Sequence, residues 1–138
     1  MGWAALVTWV VTAGGGFVLL AQWLRHGGMQ QGNEPGKRIR PPLILGHFAL
    51  AAAGLVLWVI YLAADSGALA WIAFGLLLVV ALIGFSMFGI WLAQRRGTTP
   101  AATAERHFPL PVVGLHGLLA ATTLVLVFLA AIGVGESS

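Results

Sequence analysis

The chain has 138 residues, of which 59% are hydrophobic and 8% charged, with a net charge of +3 and no cysteine. So little charge cannot cover the surface of a soluble domain of this size. The missing cysteines exclude disulfides, iron–sulfur clusters and thiolate metal sites built from this chain alone.

Apolar runs near twenty residues long occupy about 3–24, 42–64, 69–94 and 110–134. A bilayer core of about 30 Å takes about 20 helical residues to cross. Peptide groups inside it must pair with one another, so each run is a helix or a strand of a closed barrel. The polar–apolar alternation of a barrel is absent. The fold class expected is therefore all-α, an integral membrane four-helix bundle forming a single transmembrane domain. The first run lacks a basic segment ahead of it, and its length suits a retained span rather than a signal peptide.

The link Ala64-Asp65-Ser66-Gly67 is short enough to make the second and third spans a tight antiparallel pair. The other two links hold all seven basic residues, Arg25, Lys37, Arg38 and Arg40 in one and Arg95, Arg96 and Arg106 in the other. Both lie on one side of the membrane, and the positive-inside rule makes that side cytoplasmic. Both termini and Asp65 then face outward, in the inner (plasma) membrane of a bacterial cell. The isoelectric point of about 10.7 has the look of a nucleic-acid binder, but topology accounts for these charges and no nucleic-acid partner is implied. Residues 26–40 and 97–105 are rich in Gly, Pro, Thr and Gln and read as solvated connections. Their cations also attract anionic lipid headgroups, by about 1 kcal/mol per residue near the surface.

The chain repeats itself, with units of about 1–68 and 69–138. A shift of 68 positions places Trp3 on Trp71, Gly16 on Gly84, Phe17 on Phe85, Trp23 on Trp91 and Leu24 on Leu92. A shift of 69 places Pro42 on Pro111 and His47 on His116, and gives eight identities in the sixteen positions from 42 to 57. Alanine and leucine are common in membrane helices; the matched Trp, Pro and His carry the argument. Both copies cross the membrane in the same sense, a tandem repeat of two helical hairpins about an axis along the membrane normal. Trp3 and Trp71 then mark the outer interface and Trp23 and Trp91 the inner one, as an aromatic belt.

His47 and His116 each lie five residues after the matched proline, about one and a half turns into their helices, toward the cytoplasmic leaflet. An ionisable group within a span is costly and marks a site by default. Two at equal depth on related helices can hold a group between them. A b-type haem suits the pair, each neutral imidazole supplying one axial ligand of a low-spin electron-transfer centre. On the same faces Ala51, Gly54, Ala120 and Thr123 leave room for a flat macrocycle, although small residues equally allow bare helices to pack. Arg38 and Arg40, with Arg95, Arg96 and Arg106, are near enough to meet porphyrin propionates. The alternatives for the pair are hydrogen bonds to backbone or headgroup, a chlorophyll-type pigment, a quinone pocket or a metal ion. His26 and His107, beside Arg25 and Arg106, read as solvated rather than ligating. A four-histidine metal cluster remains an option, without a carboxylate at ligand spacing.

With His47, His116 and the bundle in view, the chain resembles in architecture the four-helix membrane b-type cytochromes, including the cytochrome b561-like group. In those proteins, histidines on facing transmembrane helices hold haem. The second intramembrane pair of the two-haem members is missing, so the resemblance implies one haem at most. The stretch Arg106-His107-Phe108-Pro109 leading to Leu115-His116-Gly117-Leu118-Leu119 is also similar to small four-helix membrane proteins of high-GC bacteria, a likeness that carries no activity.

No nucleophile-and-base pair, phosphate loop or intraspan carboxylate is present, since Glu34, Asp65, Glu105 and Glu136 all fall in loops or tails. The expectation is a small subunit of a larger membrane complex, respiratory or otherwise electron-transferring, rather than a catalyst alone. It would bind one haem between His47 and His116, with other membrane subunits, anionic lipids and a quinone as partners. A purely structural accessory protein without cofactor is the alternative.

Overall fold

A computed structural model of the chain describes residues 1–31, 38–97 and 103–135. Lys37, Glu34 and Glu136 lie outside the described residues. Four helices make the fold: α1 (Gly2–Arg25), α2 (Pro41–Ala64), α3 (Gly67–Arg96) and α4 (Leu110–Ala131). Each is long and apolar enough to cross a membrane. Short 3₁₀ turns at Gly28–Gln31 and Ala104–His107 complete the described secondary structure.

Local chemistry sets the helix ends. Pro41 and Pro42 open α2 and Pro111 stands near the start of α4, where a missing N–H costs nothing. Asp65 closes α2 in the left-handed region at φ 49°, a conformation that short polar side chains tolerate. α4 stops at Ala131, three residues short of the expected end. Gly133 adopts a φ of 85° there and its N–H donates to the Ala130 carbonyl, turning the chain off the helix.

Around the bundle the order is α1, α2, α3, α4. The closest pairings are α1 with α4 and α2 with α3, so each helix packs mainly against one from the other repeat. α2 and α4 lie across a diagonal. In lipid the hydrophobic effect does not drive helices together; close fit and hydrogen bonds do. The fit divides into two apolar clusters. One holds Trp9, Trp58, Tyr61, Ala73, Leu77 and Val127, near the end where Met1, Asp65 and Gly135 line a common cleft. The other holds Trp23, Ile39, Ile44, Trp91, Ala104 and Phe108, at the loop end. Valines, leucines and phenylalanines face outward along every span, among them Val7, Phe17, Val56, Leu82, Phe85, Leu118 and Val125.

Two expectations are corrected at the loop end. Trp3 and Trp71 are exposed, as belt residues are, but Trp23 and Trp91 are 0% and 3% exposed. They are core residues because the loops fold back over them. A Cβ at Gly28 would land on the Trp23 indole itself, so only glycine fits that turn. Nor are the described loop residues simply solvated. Glu105 is fully buried and its carboxylate accepts from the Ile39 N–H at 2.6 Å, Gln94 Nε2 at 2.8 Å and Gln31 Nε2 at 3.0 Å. The two glutamine carbonyls complete the net: Gln94 Oε1 accepts from Thr103 Oγ1 and Gln31 Oε1 from the Ala104 N–H. One buried acid thus laces both loops to the end of α3.

Candidate functional site

Between the two apolar clusters lies a polar layer. His47 of α2 donates from Nδ1 to the Val80 carbonyl of α3 at 3.0 Å. His116 of α4 donates from Nδ1 to the Thr12 carbonyl of α1 at 2.9 Å. Thr12 and Val80 are themselves related by the 68-residue shift, so the repeat extends to the acceptor of each bond. A carbonyl oxygen only accepts, which fixes the proton on Nδ1 and leaves the lone pair on Nε2. Neither Nε2 has a hydrogen-bond partner among the described residues.

The two rings meet across the diagonal, with centroids 6.4 Å apart and planes at 67°. Metal–imidazole bonds are about 2.0–2.1 Å, so two nitrogens on opposite sides of an ion stand about 4 Å apart and the ring centroids about 6 Å. The centroid separation is close to that value, and the two Nε2 atoms are the ones by which His47 and His116 would hold an ion. Tying the other ring nitrogen to a backbone carbonyl is also the usual way a ligating histidine is oriented.

The layer sits deeper than a count from Pro42 and Pro111 implies. The imidazoles lie against α1 near Gly15 and Gly16 and against α3 near Gly84. These positions are nine to eleven residues from Arg25 and Arg95, about 15 Å along the helix. His47 is only about 9 Å from the start of α2 on the same rise. The difference arises because α1 and α3 overhang the starts of α2 and α4 by roughly one turn, and the loops fill the step.

The four residues expected to pack a macrocycle have separate fates. Gly54 is buried and receives the Trp9 indole; a Cβ there would stand 3.0 Å from Trp9 Cζ2. Thr123 is buried, bonded through Oγ1 to the Leu119 carbonyl and within 3.3 Å of the Thr12 hydroxyl. Ala51 and Ala120 are half-buried, Ala51 against the Trp9 cluster. Arg38 donates to the Gln31 carbonyl at 2.8 Å, and Arg40 is exposed at the start of α2. The structure thus unites the two histidines with Gly15, Gly16 and Gly84, which sequence reasoning did not select. The 68-residue match of Gly16 with Gly84 was the available signal.

His26 and His107 are exposed and stack face to face, 3.6 Å between centroids and 8° between planes. Lone pairs lie in the ring planes, so parallel stacked rings cannot share one ion. Among the described residues no three His, Asp or Glu side chains gather as a metal site, and the four-histidine cluster is set aside. The loop pair and the buried pair are separated by the second apolar cluster.

No protein-family model, curated protein or solved structure matches the chain.

Proposed function

We propose that this protein is a small subunit of a larger electron-transferring membrane complex, holding one b-type haem between His47 and His116. The observation that carries the reading is the paired imidazoles: 6.4 Å between centroids, each Nδ1–H spent on a backbone carbonyl, each Nε2 left as a ligand. Bound there, haem supplies reversible one-electron chemistry. The chain's own part is to orient both imidazoles, fix their tautomers and keep water out with the apolar clusters above and below. Arg38 and Arg40 are the cations assigned to propionates. Quinone is the electron donor or acceptor in this reading, and anionic lipids surround the basic end.

The bundle spans the inner membrane of a bacterial cell, loops in the cytoplasm and termini outside. Support comes from the basic residues, since Arg25, Arg38, Arg40, Arg95, Arg96 and Arg106 all belong to the end carrying the 3₁₀ turns, which the positive-inside rule assigns to the cytoplasm.

The test is a reduced-minus-oxidised spectrum of the purified protein. A sharp visible band is expected in the wild type and is lost in both His47→Ala and His116→Ala, while helix content measured by circular dichroism is retained. A second reading, a structural accessory subunit, is favoured by Trp9 filling Gly54 and by the Thr12–Thr123 contact, which close the bundle on its own side chains. It expects a colourless wild type in which the two histidines serve as interhelical hydrogen bonds, each worth about 0.6 and at most about 1.7 kcal/mol.

A further inference from the structure

The two histidine hydrogen bonds share a feature on the accepting helix. In α1 the acceptor is Thr12 and the residue four positions on is Gly16; in α3 the acceptor is Val80 and the residue four positions on is Gly84. Position i+4 is where the helical N–H donates to that same carbonyl, so its side chain would stand beside the point where the imidazole arrives. A Cβ built on Gly16 would lie 3.1 Å from His116 Cε1 and 3.7 Å from its Nδ1. A Cβ built on Gly84 would lie 3.1 Å from His47 Cε1 and 3.7 Å from its Nδ1. The two positions share the same distances to Cε1 and Nδ1 of the facing ring. These contacts are tight, and the neighbours to be moved are rings already held by a hydrogen bond at one edge. Gly14 on α1 and Gly89 on α3, by contrast, have nothing within 4 Å of a built Cβ.

We propose that Gly16 and Gly84 are positioning residues: each opens one helix face so that an imidazole from the other repeat reaches the carbonyl one turn back, which fixes its proton on Nδ1 and crosses the two ring planes. The inference concerns the chain's own geometry and rests on the haem reading only for what the crossed rings are used for.

The first experiment needs no cofactor. The full chain, labelled with ¹⁵N-histidine and held in detergent micelles, is recorded as wild type and as Gly16→Ala, Gly84→Ala, Gly14→Ala and Gly89→Ala. His47 and His116 are expected in the Nδ1–H form in the wild type. Gly16→Ala should shift or erase that signature at His116 alone and Gly84→Ala at His47 alone, with both control variants unchanged. Unaltered histidine signals in Gly16→Ala and Gly84→Ala would overturn the proposal, as would equal changes in the controls. The second experiment titrates hemin into the same proteins. Disturbed orientation should weaken hemin binding by about 10- to 100-fold, the range found when an outer-shell partner is lost. The electron paramagnetic resonance spectrum of the hemin-loaded protein should differ between the wild type and the two variants. Wild type that fails to bind hemin while the ¹⁵N result holds would sink the haem reading and leave the positioning role standing. Hemin bound with unaltered affinity and spectrum by Gly16→Ala and Gly84→Ala would count against the positioning role.

Discussion

Glu105 shows how a single side chain can decide the shape of a whole end of the molecule. A carboxylate with no solvent exposure is stable only when its oxygens are well supplied with donors, and here two glutamine amides and one backbone N–H supply them. Glu105→Ala removes the acceptor that the three donors share, leaving Gln31 Nε2 its bond to the Ile39 carbonyl at 3.3 Å, and the cost of a buried unsatisfied group is about 1–3 kcal/mol. We expect a loss of about 3 kcal/mol or more in unfolding of the detergent-solubilised protein, and exposure of Trp23 and Trp91 read as a red shift of indole fluorescence. Glu105→Gln keeps the volume but sets an NH₂ against a donor where one carboxylate oxygen accepts, so it should keep only part of the net and lose roughly half as much. Nothing in the linear chain announced this. A lone acid among Gly, Thr and Arg reads as solvated, and its partner Gln31 is 74 positions away. The histidines were readable because both are rare in spans and because the repeat pairs them. The carbonyls they use were not, since every residue carries one.

At the level of the helices, the interfaces work by size matching. Trp9, 3% exposed, lies across Gly54, whereas the equivalent positions in the other pairing are Leu77 and Thr123: a smaller residue where the tryptophan was, a larger one where the glycine was. Gly54→Val would force the indole out of its place, a clash of the overpacking kind that costs typically 1–3 kcal/mol. Gly75→Ala, where a Cβ meets nothing within 4 Å, should instead be neutral or stabilise by up to about 1 kcal/mol, because glycine weakens a helix interior. Thermal unfolding of the two variants side by side separates packing from backbone propensity. Span positions and the Asp65 turn followed from hydropathy and length alone. The end of α4 did not, because Ile132 and Val134 are as apolar as the helix they leave, and hydropathy is blind to the turn at Gly133. Trp23 and Trp91 misled for a related reason: a tryptophan near a span end looks the same from sequence whether it meets headgroups or a folded-back loop.

For the molecule as a whole, the absence of native cysteine makes the orientation directly measurable. Ser66→Cys sits in the turn beside Asp65, and Gln30→Cys in the exposed part of the first loop. In intact cells a membrane-impermeant maleimide should label the first and spare the second, and permeabilisation should make both react. The reverse pattern would invert the topology drawn from the arginines. The four-helix class and the tandem repeat were both visible in the chain. The pairing of α1 with α4 and α2 with α3 was not, because a repeat announces which elements are equivalent and leaves open which of them touch.

That pairing bears on how the protein is made. Synthesis delivers α1 to the bilayer before its principal neighbour α4, with two complete crossings in between. Until the final segment leaves the ribosome, the carbonyl of Thr12 has no imidazole, and the Thr12 hydroxyl has no counterpart on α4. Until then α1 has, among the spans, its contacts with α2, Trp9 against Gly54 and the Trp58 indole N–H on the Gly2 carbonyl, besides its own internal hydrogen bonds. The middle hairpin, whose members are each other's main contact, can assemble beside it as soon as both are inserted. A chain truncated before Leu110 would leave half of the central polar layer unbuilt and the first helix without its mate.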